Sequence, residues 1–176
     1  VAGVVAQLIE RKGHRVLFEA LARIAPQRRP YVVCFGQGPQ REALDAEVAR
    51  LGLGADVRFA GFRNDLPRWM GSLDLLVHPA YMEGLGVSLL QAAAAGVPII
   101  ASRAGGMPEA VRDGENGLLV PPGNVDALHA ALERMLGDEN LRRRLAQGGP
   151  ALIAREFSID AMVDGNLAVY RDVLGR

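Results

Sequence analysis

A carboxylate, a run of potential backbone donors and a carboxamide fall close together in this chain: Glu83, then Gly84-Leu85-Gly86-Val87, then Gln91. The segment follows an apolar run, Leu73 to Val77, that reads as a buried strand. It leads into Ala92-Ala93-Ala94-Ala95, a helix that Gly96 stops. Strand, glycine-bearing loop and helix leave unpaired N–H groups at the helix start. Orphan donors and the positive end of the helix dipole then point the same way, which suits a phosphate. The glycines make sense where backbone must approach a ligand or adopt positive φ; an ordinary tight turn reads equally from Gly-x-Gly alone. Eight helical residues rise roughly 12 Å, and the gap from Glu83 to Gln91 is shorter because Glu83 lies in the loop. Two polar groups with phosphate-binding amides between them could grip the two ends of a nucleotide-sugar.

A cation for the phosphates is available at Lys12, which stands at the exit of the first strand. An ammonium there contributes about 1.5–3 kcal/mol per charge-assisted contact to a diphosphate. Of the 20 Lys and Arg residues, Lys12 alone is lysine. With the Lys12-Gly13 spacing and so arginine-biased a background, a ligand role outweighs the reading of a solvated residue before a helix. His14 and His129 lack metal-ligand spacing, and no metal site is expected. Arg142-Arg143-Arg144 reads as the wet face of a helix, and Cys34 as a small buried hydrophobe.

The elements that must position these groups alternate. Val1 to Leu8 reads as a strand apolar on both faces, and His14 to Ile24 as a helix with Val16, Leu17, Ala20, Leu21 and Ile24 on one side. Tyr31 to Phe35 is a second strand closed by Gly36-Gln37-Gly38, and Pro39 opens a helix to Leu51. Val57 to Ala60 is a third strand, entered from Gly52-Leu53-Gly54. Asn64 or Asp65 caps a short helix through Met70. After the central segment come a strand at Val97 to Ala101, a short helix from Gly105 to Arg112, and an edge strand at Leu118 to Val120. Helices follow from the Asn124 cap to Leu136, from Asp138 to Ala146 and from Ile159 to Leu174. The pattern predicts one α/β domain over residues 1–176, a doubly wound parallel sheet with helices on both faces. Such sheets bind ligands at the carboxyl ends of their strands, and the glycine-bearing loops are expected at that edge. In that frame His78 is a structural residue of the loop before Glu83, and Gly36-Gln37-Gly38 is a plain turn unless it borders the cleft.

Glu-Gly-Leu-Gly, an apolar helix, a polar residue eight positions after the Glu, and then Gly-Val-Pro-Ile-Ile together resemble the signature of retaining family-4 glycosyltransferases. The resemblance covers almost the whole chain and implies a Rossmann-like half of a GT-B enzyme, the C-terminal, donor-binding one. The N-terminal acceptor domain is then absent from this chain. The family pattern also implies roles for particular residues. Glu83 contacts the transferred hexose near its anomeric carbon; Lys12 and the residue at Gln7 meet the phosphates; Gly84, Leu85, Gly86 and Val87 supply amides. Gln91 meets the ribose, and Phe62 and Arg63 border the base. Two positions depart from the pattern: Gln7 replaces an Arg, and Gln91 replaces a Glu. Gln91 reads equally as a helix glutamine without a ligand, and Phe62 as edge packing. Glu109, at the family's Gly-Gly-x-x-Glu, is expected to order a helix N-terminus.

The implied activity is metal-independent transfer of a hexose from a nucleotide diphosphate sugar to an acceptor, with no cofactor; the fragment alone catalyses little. The rival is a non-catalytic binding or scaffolding domain whose donor site has degenerated at Gln7 and Gln91. A Rossmann dehydrogenase ranks below both, because Lys12-Gly13 stands where Gly-x-Gly-x-x-Gly belongs. Composition fits: 49% hydrophobic residues suit one buried core, and zero net charge implies no general attraction to nucleic acid. No apolar run reaches the ~18 residues of a membrane span. The expected setting is the cytoplasm, peripheral at the inner face of the membrane in the intact protein.

Overall fold

The computed structural model describes residues 1–175. Among them, six parallel strands form one sheet in the order β3-β2-β1-β4-β5-β6: β1 Ala2–Val5, β2 Val32–Phe35, β3 Val57–Gly61, β4 Leu75–His78, β5 Ile99–Ser102 and β6 Gly117–Val120. The helices are α1 His14–Ala22, α2 Arg41–Arg50, α3 Leu66–Met70, α4 Val87–Ala94, α5 Met107–Ala110, α6 Val125–Gly137, α7 Glu139–Glu156 and α8 Ile159–Leu174. This is the doubly wound, Rossmann-like arrangement. Strand order reverses between β1 and β4, which pair directly through Ala2 with Leu75 and Gly3 with Leu76. A crevice opens at the carboxyl ends of the two strands that flank such a reversal.

Residue alternation divides the core into two layers. Leu75 and Val77 of β4 pack with α1, α2 and α6, whereas Leu76 faces α3, α4 and α5. All four β4 residues are buried, as a central parallel strand covered on both faces requires. Cys34 lies in the first layer, and burial pushes its thiol up to about 12, so it is a neutral hydrophobe.

Four local expectations need correction. The first strand stops at Val5, because the backbone of residues 6–8 turns to bond the loop after β2 through Leu8 N–H to the Gln37 carbonyl, 3.0 Å. The Gly52–Gly54 turn lies at the amino end of β3, opposite the crevice. Asp65 occupies the N-cap position of α3 without capping it; its carboxylate takes Arg63 and the Trp69 indole instead. Helix α7 runs past Ala146, through Gly148-Gly149-Pro150, to Glu156. A Cβ on Gly148 would stand 2.1 Å from the Glu115 carbonyl oxygen, and one on Gly149 would stand 2.4 Å from that of Ala93. Those glycines permit close helix packing, and burial outweighs their poor helical propensity. Asn124 caps α6 as expected, accepting from Ala127 N–H at 2.9 Å. Helix α8 buries no residue and exposes Ile159, Met162, Tyr170 and Val173.

Candidate functional site

The loops after β1 and β4 face each other across the crevice, held by backbone contacts that only glycine allows. Gly13 caps the 3-10 turn Glu10–Lys12 with φ of 70°, and a Cβ there would lie 2.1 Å from the Pro79 carbonyl oxygen. Beside it, Tyr81 N–H donates to the Arg11 carbonyl at 2.8 Å. The loop after β5 supports the other flank, where Gly106 N–H donates to the Glu83 carbonyl at 3.3 Å. The site is therefore tied down on both sides of Glu83.

Between these loops lies a cleft of about 530 Å³, within the usual range for small-molecule sites. Gln7, Lys12, Phe62, Arg63, Glu83, Gly86, Val87 and Gln91 line it. Gly84 and Leu85 are not in that lining: Gly84 N–H turns back to Glu83 Oε1 at 3.2 Å, and its carbonyl packs on Gly106. Of the four expected amides, those of Gly86 and Val87 border the cleft. Ser88 joins them, its hydroxyl bonded to the Val5 carbonyl at 3.4 Å. Gly86 has φ of 80° and starts α4, so the first amides of that helix open toward the space. Phe62 is 68% exposed, so it does not serve as edge packing. Arg63 lays its fork on Asp65, and with Trp69 it holds that carboxyl down to about 2.

Gln37 and His78 also line the cleft, though the sequence reading assigned neither to a ligand. The signal for Gln37 was the Gly36-Gln37-Gly38 turn, which does border the cleft. A Cβ on Gly36 would meet the Ala6 carbonyl oxygen at 1.9 Å. His78 is the last residue of β4, not a loop residue, and is buried. Glu109 falls in the first turn of α5, where its charge suits the helix dipole.

Lys12 is only 8% exposed, yet its ammonium reaches Glu83 Oε2, and His78 Nε2 lies 3.1 Å from the same oxygen. Partial burial alone would raise the Glu83 pKa; the hydrogen bonds and charge from Lys12, with His78, outweigh it and leave it below the usual glutamate range. Behind Lys12, both ring nitrogens of buried His14 lack a protein partner. Burial first, then His78 and Lys12, push the His14 pKa from 6.5 to about 4. The folded state keeps this ring neutral while the unfolded chain protonates it. Stability is thus full above about pH 6.5 and falls as pH drops to about 4, by roughly 3 kcal/mol from this residue. Urea unfolding at about pH 7 and pH 4.5 should show a loss about 2–3 kcal/mol larger in the wild type than in His14→Gln. Equal pH dependence would mean that His14 is protonated in the fold.

Among the described residues, no three of His, Cys, Asp and Glu gather where they could share a metal ion, and no helix is long and apolar enough to cross a membrane. The chain spans about half the length of the curated relatives that it matches. LpsE of Rhizobium meliloti, a lipopolysaccharide core biosynthesis glycosyltransferase, is 35% identical over 161 residues, covering 92% of this chain and 46% of LpsE. HepE of Anabaena, solved in complex with UDP, superposes with a TM-score of 0.87 at 28% identity, over 99% of this chain and 48% of HepE. The C-terminal domain of the group 1 glycosyl transferase LpcC from Francisella tularensis gives 0.79 at 29% identity, over 90% of this chain and 86% of that domain. Residues 1–151 match the glycosyl transferases group 1 family. With the cleft at the strand reversal and the match running through all its lining residues, the chain belongs to the glycosyl transferases group 1 family.

Proposed function

We propose that this chain is the C-terminal, donor-binding domain of a retaining family-4 glycosyltransferase of GT-B architecture, and that it grips a nucleotide diphosphate hexose in the β1/β4 cleft. The observation that carries the reading is the meeting of Lys12 and Glu83 beside the amino end of α4. The amides of Gly86 and Val87 and the Lys12 ammonium complement a diphosphate, and Gln7 adds a neutral donor. These donors meet the diphosphate charge without a metal. Glu83 accepts hydrogen bonds from the hexose hydroxyls. Gln91 addresses the ribose, and Phe62 with Arg63 borders the base.

Transfer joins the anomeric carbon to an acceptor oxygen as its bond to the diphosphate breaks. The electron pair leaves on the phosphate oxygen, where Lys12 and the helix amides stabilise it, and the acceptor proton follows to that phosphate. The acceptor site lies on an N-terminal half, and this chain alone catalyses little because water reaches its open cleft. The UDP complex of HepE supports the donor class, and LpcC supports the C-terminal position. The likeness to LpsE supports an envelope-glycan acceptor.

Calorimetric titration of the chain with UDP, GDP and their glucose or mannose conjugates tests the donor site. Saturable binding of one base is expected. No binding at millimolar ligand would favour the second reading, a non-catalytic domain, whose supporting observation is that uncharged Gln7 and Gln91 both line the cleft. Gln91→Glu should tighten nucleotide binding about tenfold, because a carboxylate accepts both ribose hydroxyls with charge assistance. Unchanged affinity would mean that Gln91 does not touch the ribose.

A further inference from the structure

We propose that His78 is a positioning residue: its Nε2–H holds the Glu83 carboxylate in the cleft when Lys12 leaves that carboxylate for a diphosphate. The inference rests on the donor-binding reading of the same cleft.

In the structure, Glu83 Oε2 accepts from Lys12 while His78 Nε2 lies 3.1 Å away, and Oε1 takes only the adjacent Gly84 N–H. An ionised carboxylate is acceptor-only, so the imidazole nitrogen beside it must carry the hydrogen. A neutral ring has one N–H, which leaves His78 Nδ1 as a bare acceptor; that atom is buried without a partner. The opposite tautomer would set two lone pairs against each other and bury an unpaired N–H as well. The groups facing this ring are Lys12 from the turn after β1, His14 from α1 and Glu83 from the following loop. Burial lowers the His78 pKa, Lys12 adds to that, and the bond to Glu83 opposes it without reversing the direction. A neutral donor is what the position provides.

An arriving diphosphate competes for Lys12, which has one flexible ammonium to offer. Glu83 then loses its cationic contact with Lys12 and, on a loop, would swing toward water. His78 cannot follow the phosphate, because it ends β4 and is 2% exposed. It therefore fixes the carboxylate while Lys12 changes partner.

Two measurements test this. In the ligand-free chain labelled with ¹⁵N-histidine, long-range proton–nitrogen correlation should show His78 as the neutral Nε2–H tautomer at about pH 7. An Nδ1–H tautomer or a charged ring would overturn the proposal. UDP and UDP-glucose are then titrated into wild type, His78→Phe and His78→Gln, with circular dichroism confirming each fold. UDP affinity should stay within about threefold throughout, while the affinity ratio of UDP-glucose to UDP falls about tenfold in His78→Phe. His78→Gln, whose amide can donate from a similar reach, should restore the ratio to within about threefold. An unchanged ratio in a folded His78→Phe chain would overturn the proposal. Wild type that binds neither nucleotide would instead sink the donor-binding reading, with the tautomer still deciding how Glu83 is held.

Discussion

Replacing Glu83 by alanine should abolish sugar transfer by the full-length polypeptide, lowering kcat by about three orders of magnitude or more, while the fold stays intact. The carboxylate faces the cleft with its charge secured: burial raises its pKa, but Lys12 and His78 together bring it below the ordinary range. An anion so placed can orient hexose hydroxyls and balance positive charge that develops at the anomeric carbon. Three orders of magnitude correspond to about 4 kcal/mol of transition-state stabilisation. The fold survives because the Glu83 side chain belongs to neither core layer, and its main-chain tie to Gly106 remains. Initial-rate assays with a thermal melt on the same sample would check both halves. Activity near wild type would mean that the donor sugar lies elsewhere.

The second large effect is structural. Gly13→Ala should destabilise the chain by about 3–5 kcal/mol, since it combines a left-handed backbone with a clash that only backbone movement relieves. A melting temperature lower by about 10 °C is expected for a chain of this size. The added methyl would push the Pro79 carbonyl away, open the Tyr81–Arg11 bond and separate Lys12 from Glu83. Gly54→Ala is the control: no atom lies within 4 Å of its added carbon, and it should melt close to wild type. Equal melting of the two variants would show that the loops can part without cost.

Much of this architecture can be read from residue order alone. Apolar runs of strand length alternate with helical periodicity, and that alternation dictates the parallel sheet. The Glu83 segment stands out because strand, glycines and helix occur in succession. Other features depend on contacts distant in sequence. Helix α7 continues through Pro150 because Gly149 packs against Ala93, a pairing that local propensity cannot foresee. The Lys12–Glu83 pair joins residues 71 apart, and its geometry follows from the strand order. From sequence His78 reads as a structural residue of the loop before Glu83, until its ring nitrogen is seen beside Oε2. Gly84 and Leu85 were the opposite case, sharing the motif of Gly86 and Val87 while facing away.

The walls of the cleft are joined through main-chain atoms: Leu8 to Gln37, Gly36 to Gly61, Tyr81 to Arg11 and Gly106 to Glu83. None of these links uses a side chain of Gln7, Phe62 or Gln91, so replacing those residues alters the cleft surface without removing a bond that joins its walls. The shape of the cleft is thereby set by main-chain geometry, and its chemistry by side chains that carry none of that load.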